Sequence, residues 1–168
     1  MKLTCRKAEV ADQERIIAII EEGRARLHAL GINQWQHGYP DHTAISADIA
    51  QGDGYVFANE EGHVVAYAAV IFGEEPTYKH IDGHWLTNAP YVVVHRMAVC
   101  NDSTRHGVAT TIFIHVEQMA QSRGTKAFRV DTHRNNAYMR RLLQRCGFTL
   151  CGIVRVRDGE RLAYEKVI

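Results

Sequence analysis

No run in this chain approaches the ~20 consecutive apolar residues that a helix needs to span a bilayer. Its first residues, Met1-Lys2-Leu3-Thr4-Cys5-Arg6, lack the apolar stretch of a signal peptide. Cysteine is scarce: Cys5, Cys100, Cys146 and Cys151 show no C-x-x-C spacing. A disulfide-dense secreted scaffold is thereby excluded, and the four thiols read as small buried hydrophobes in a reducing cytosol. With three prolines there is no Pro-rich linker, and no repeat or low-complexity tract is present. An excess of one charge is missing too. Twenty Lys and Arg stand against 19 Asp and Glu, a formal net charge of +1. No global field therefore selects a nucleic acid or an anionic membrane. The expectation is a cytoplasmic protein folded as one domain over residues 1–168, long enough to bury a core without staples.

What is present is an alternation of strand and helix signals. Residues 2–8 read as a first strand. From Asp12, which is placed to cap, Ile16, Ile17, Ile20, Leu27 and Leu30 mark one face of a helix that Gly31 ends. A polar-aromatic segment over residues 33–40 leads to a short helix around residues 44–51. Strands at 55–59 and 64–72 then form a hairpin at Glu61-Gly62. A long connection, 73–90, comes next; loops of that length inside a domain are more often functional than not. The second half reads as strand 91–99, helix 107–122, strand 127–132, helix 135–145 and strands 148–156 and 160–167. The fold class is α/β (α+β): a mixed sheet of about seven strands and four helices, antiparallel early and with a crossover later.

The chemistry-bearing stretch runs from Tyr91 to Phe148. A β-branched strand enters a polar loop ending Arg105-His106-Gly107-Val108-Ala109, which opens an amphipathic helix. Gly107 allows close backbone approach, and free N–H groups with the positive end of the helix dipole can hold a phosphate. An ordinary strand-to-helix turn explains the same residues about as well. His80, Asp82 and His84 have a spacing that would suit ligands on a helix, but Gly83 and the loop composition argue against one; no metal site is expected.

The spacing Val99-(seven residues)-Gly107-Val108-Ala109, with Asn136-(ten residues)-Gly147-Phe148, resembles the Gcn5-related N-acetyltransferases (GNAT). The order of elements matches that family over essentially the whole chain. The resemblance implies a sheet splayed between the family's fourth and fifth strands, with acetyl-CoA in the opening and no metal. It places Met97, Ala98 and Val99 against the pantetheine arm, and Arg105, His106, Gly107, Val108, Ala109 and Thr110 around the pyrophosphate. Asn136 falls on a family cofactor contact; Arg140, Arg141 and Arg105 are candidates for the 3′-phosphate. His95 stands where many members carry a Glu that takes the acceptor's proton, and an imidazole suits that task near neutrality. Trp35, Tyr39, Tyr78 and Trp85 would wall the acceptor pocket, with Glu74 or Glu75 binding an ammonium; the two tryptophans serve equally well as loop anchors.

Two positions depart from the family pattern. Its leading Arg or Gln is Thr104 here, with Arg105 one place later, and its general-acid Tyr is Leu143, with Tyr138 badly placed to substitute. The implied activity is acyl-CoA-dependent N-acylation, most simply from acetyl-CoA, of a small-molecule or peptide amine, without nucleic acid or membrane. A homodimer is the family-level expectation. The alternatives are a CoA-binding sensor or assembly module with little or no chemistry, and a protein for a different phosphate ligand.

Overall fold

The structure, a computed structural model, describes residues 2–168. Among the described residues are eight strands: β1 Thr4–Lys7, β2 Gly54–Ala58, β3 Val64–Phe72, β4 Asp82–Gly83, β5 Tyr91–Val99, β6 Ala127–Thr132, β7 Thr149–Val156 and β8 Gly159–Val167. They are accompanied by the helices α1 Gln13–Ala29, α2 His42–Gln51, α3 Val108–Ser122 and α4 Ala137–Arg145. The strand order is β1-β2-β3-β5-β6-β8-β7-β4. The architecture is thus mixed α/β, as expected, with one strand more than the expected seven. The chain falls into two compact units. One holds residues up to Val70 together with Val94–Ile112; the other holds Ile71–Val93 with Phe113–Ile168.

In the first unit β1, β2 and β3 pair antiparallel, from Thr4↔Ala58 and Gly54↔Ala69. Helix α1 buries Ile16, Ile19, Ile20 and Gly23, an i, i+3, i+4, i+7 stripe. Leu30, expected on that face, is instead 69% exposed, because the helix is already closing there and Gly31 comes next at φ 72°. Asp12 does not cap α1 through its side chain. Its carboxylate accepts from Glu9 N–H at 2.8 Å and pairs with Arg6, fixing a 3₁₀ turn over Val10–Asp12 ahead of the helix. Helix α2 starts earlier than expected, because Asp41 accepts from Ala44 N–H at 2.9 Å and serves as its cap.

In the second unit β5 and β6 run parallel through Tyr91↔Ala127, Val92↔Phe128 and Val93↔Arg129, and β6-β8-β7 continue antiparallel. Phe113, Phe128 and Phe148 pack edge-on and tilted with centroids 4.9–5.6 Å apart, each such contact worth about 0.5–1.5 kcal/mol beyond its buried area. Phe148 comes directly after Gly147, whose φ of 91° turns the chain out of α4. The extra strand, β4, lies in the long connection 73–90 and pairs with β7 through Asp82↔Ile153 and Gly83↔Gly152. A Cβ on Gly83 would stand 2.2 Å from Cys151 O, and one on Gly152 2.2 Å from Asp82 O, so only glycines permit this approach.

A buried ion pair ties the same connection down. Arg129 Nε donates to Glu165 at 2.8 Å, both side chains nearly inaccessible. Glu165 also accepts from Leu86 N–H, Thr87 N–H and Thr87 Oγ1 at 2.6–3.1 Å, while Arg129 donates to Thr87 O. The guanidinium lies 4.1 Å from the Trp85 ring centroid and 4.0 Å from that of Tyr91. Such a pair is tolerated in an apolar interior because hydrogen bonds saturate both charges.

Candidate functional site

In the first unit, β5 carries at Arg96 a non-glycine residue at φ 53°. A left-handed L-residue costs about 1–2 kcal/mol, and such a residue bends the strand and re-aims the residues after it. Around it His95 and Met97 are half-buried, Val94 and Ala98 buried. Beyond the bend, Arg26 Nη2 donates to Val99 O at 2.6 Å, so α1 holds the end of the strand.

Arg96 itself is firmly held. Its Nε and Nη2 donate to Asp48 Oδ2 and Oδ1 at 2.8 and 2.7 Å, and its Nη1 donates to the Tyr39 hydroxyl at 2.7 Å. Asp48, on α2 and 3% exposed, also accepts from Tyr67 OH at 2.6 Å. Burial opposes the Arg96 charge, but the hydrogen bonds and charge of Asp48 outweigh it and hold the guanidinium above its ordinary range. Burial, then the charge of Asp48, pushes the Tyr67 phenol up. Sequence reasoning missed this network. The available signal was an acid at Asp48, three places after the fully buried Ile45 on a short helix.

After β5 comes a 3₁₀ turn, Asn101–Ser103, then Thr104 in extended conformation. Arg105 at φ 66° and Gly107 at φ 74° then flank His106, and all three are exposed. Alternating left-handed residues turn successive N–H groups to one side, the concavity that holds anions. Thr111 N–H closes the first turn of α3 on Gly107 O at 3.1 Å. The amides ahead of it, through Thr110, have no partner four residues back. A Cβ at Gly107 would meet nothing within 4 Å, so the space over the loop is open. The donor set fits a pyrophosphate. Val108 and Ala109 are buried and keep the first turn against the core, with Thr110 half-buried beside them.

Of the remaining candidates in this unit, Trp35 (φ 68°) is half-buried, its Cζ3 3.2 Å from where a Cβ on Gly23 would stand. Arg24 donates to Trp35 O, to Tyr39 O at 3.1 Å and to Pro40 O at 2.6 Å, fixing the 33–40 segment. Trp35 therefore packs on α1 as an anchor, while the Tyr39 hydroxyl reaches Arg96.

The second unit holds the others. Tyr78, expected to wall the acceptor pocket, lies in the core beside Val93, Val154 and Ala163, its hydroxyl donating to Asp131 at 2.6 Å. Burial, then the charge of Asp131, holds its phenol well above the ordinary value. Trp85 packs on Tyr78 at 5.2 Å between centroids and donates its indole N–H to Tyr78 O. Glu75 is half-buried and accepts from Thr77 N–H at 3.2 Å, capping the 3₁₀ turn Pro76–Lys79; Glu74 is exposed and pairs with Lys79. Asn136 caps α4, its Oδ1 accepting from Met139 N–H at 3.1 Å. Arg140 is exposed, with Nη1 donating to Arg134 O and Nε to the Tyr164 hydroxyl; Arg141 is exposed as well. Leu143 is fully buried and Tyr138 is 48% exposed. His80, Asp82 and His84 are exposed, and no group of three or more His, Cys, Asp or Glu able to hold a metal occurs among the described residues. No helix among them is long and apolar enough to cross a membrane.

No curated protein matches the chain. Among solved structures, a GNAT-family acetyltransferase from Streptococcus agalactiae is 36% identical, covering 99% of this chain and 95% of its own at a TM-score of 0.90. An N-acetyltransferase from Thermoplasma acidophilum, solved with coenzyme A, is 14% identical and shares the fold over the full length of both chains at a TM-score of 0.73. The ribosomal-protein-S18-alanine N-acetyltransferase of Escherichia coli, 16% identical, does so over 99% and 94% at 0.67. The Acetyltransferase (GNAT) family profile matches residues 18–148, a span that takes in the bent strand, the left-handed loop and Gly147-Phe148 together. The chain belongs to the acetyltransferase (GNAT) family.

Proposed function

We propose that this protein transfers an acyl group, acetyl in the first instance, from acyl-CoA to the nitrogen of an amine acceptor. The observation that carries this reading is the pair of left-handed residues, Arg105 and Gly107, at the open N-terminus of α3 directly after a bent β5. Together with family membership it matches a strand whose backbone pairs with pantetheine amides and a loop whose N–H groups hold the pyrophosphate.

On this reading Met97, Ala98 and Val99 supply backbone groups to the pantetheine arm, and residues 105–110 bind the phosphates, with the Arg105 side chain beside them. A backbone N–H near Met97 or Ala98 polarises the thioester carbonyl. The acceptor amine attacks that carbonyl carbon, losing its proton to His95 or to a water His95 orients. The C–S bond breaks and CoA leaves as a thiolate, protonated from solvent; with a thiol pKa of ~8.5 it needs little acid assistance. That requirement fits Leu143, an inert core residue where the family's Tyr would stand. Asn136 and Arg140 remain candidates for further cofactor contacts. Of the acceptor candidates, Tyr39 and Glu75 keep that role more readily than Trp35, Tyr78 and Trp85, whose packing is structural. A single domain in the cytoplasm, working as a homodimer, completes the reading.

Calorimetry with acetyl-CoA tests it. Saturable binding is expected, weakened about tenfold (1.4 kcal/mol) by Gly107→Ala, whose methyl disfavours φ 74° and intrudes on the phosphate space. Absence of binding by the unaltered protein would overturn the proposal.

A further inference from the structure

The Arg96–Asp48 pair lies outside the machinery just described, yet it grips the residue at which β5 bends. We propose that Asp48 is a positioning residue: through Arg96 it holds the left-handed bend of β5 and so sets the backbone of Met97–Val99 for the acyl donor. This rests on the acyl-CoA reading above.

Arg96 is not free to bind a ligand anion. Nε and Nη2 are taken by the two Asp48 oxygens and Nη1 by the Tyr39 hydroxyl, and its side chain is only 14% exposed. Nor is Asp48 available as a base for an acceptor: it is 3% exposed and its oxygens are engaged by Arg96 and Tyr67. What the network does is mechanical. It ties an unfavourable backbone conformation on β5 to α2 through Asp48, to β3 through Tyr67 and to the 33–40 segment through Tyr39. Three residues later a second arginine, Arg26, binds Val99 O, and Ala98 Cβ lies 3.7 Å from the Cβ position of Gly23. The stretch 97–99 is thus held at both ends by guanidinium groups, Arg96 at the bend and Arg26 at Val99.

A glycine adopts φ near +53° about as readily as a negative φ, so it removes the need for the clamp. Asp48→Asn is expected to raise the Kd for acetyl-CoA about tenfold. The double variant Asp48→Asn/Arg96→Gly, which deletes both charges and lets the bend form unaided, is expected to recover to within about threefold of the original. Amide hydrogen exchange without ligand gives an independent readout. Met97–Val99 should exchange faster in Asp48→Asn, while Cys5 and Arg6 in β1 stay unchanged. Unaltered affinity in a folded Asp48→Asn protein, or a double variant as weak as the single, would overturn the inference. If the unaltered protein fails to bind acetyl-CoA, the acyl-CoA reading falls, and exchange at Met97–Val99 alone decides the positioning role. Should Asp48→Asn not fold, Tyr67→Phe, which loosens Asp48 but keeps the ion pair, is read in its place. It should weaken binding about threefold; no change would count against the inference.

Discussion

His95 and Asp12 show how differently two titratable side chains can matter. His95 sits on β5 immediately before the bend, and the proposed proton transfer runs through its imidazole or a water it holds. His95→Ala should lower kcat by about 10²–10⁴-fold; unchanged kinetics would remove it from the mechanism. Asp12 is structural. The hydrogen bonds from Arg6 hold its carboxyl below the usual carboxylate range, outweighing partial burial. Because the folded-state pKa is depressed, the bridge stabilises fully above the unfolded carboxylate's range and loses its contribution as pH falls below about 4. Arg6 is half-exposed, so Asp12→Asn should cost only about 0.5–1 kcal/mol at pH 7, a difference that closes at about pH 2. Urea midpoints at the two pH values check it. Cys5 offers a chemical probe of the same strand. Burial pushes its thiol up to about 11, so iodoacetamide at pH 8 should label it at least about tenfold more slowly than a free thiol of pKa ~8.5.

Elements with strong periodicity were legible from the residues, and those built on contacts distant in sequence were not. The buried stripe of α1, its Gly31 stop and the apolar face of α3 arise from i, i+3, i+4 spacing and a left-handed glycine. Strand β4 was not legible, because Asp82 and Gly83 have little strand preference and pair only where Gly83 and Gly152 let two backbones meet. The loop before α3 was half legible: Gly107 announced close approach, but nothing marks an arginine such as Arg105 for φ 66°. Likewise Asp48 and Arg96 are 48 residues apart, beyond any local pattern. The acceptor candidates Glu75, Tyr78 and Trp85 lie in the 73–90 connection, and its Trp85, Leu86 and Thr87 pack around or hydrogen-bond Arg129 and Glu165. Arg129→Met should leave Glu165 buried without its cation and lower stability by about 3–5 kcal/mol, with faster proteolysis within 73–90. A variant as stable as the original would show that the pair does not anchor this segment.

At the scale of the whole molecule, family membership and the order of elements settle what kind of protein this is, while the residues peculiar to this chain bear on how it works. Thr104 and Leu143 replace side chains common in the family, and the fold accommodates both. On the proposed reading the backbone amides of residues 105–110 hold the phosphates without a side chain from Thr104, and a thiolate leaving group has little need of a tyrosine. The decisive measurement is thiol release from acetyl-CoA in the presence of a panel of amines, from small polyamines and amino acids to peptide N-termini. Amine-dependent release is expected, saturating with acetyl-CoA and falling about tenfold or more in kcat/KM with Gly107→Ala. Tight CoA binding with no release above the amine-free background for any acceptor would contradict acyl transfer, and would mark the protein as a CoA-binding module without transfer chemistry.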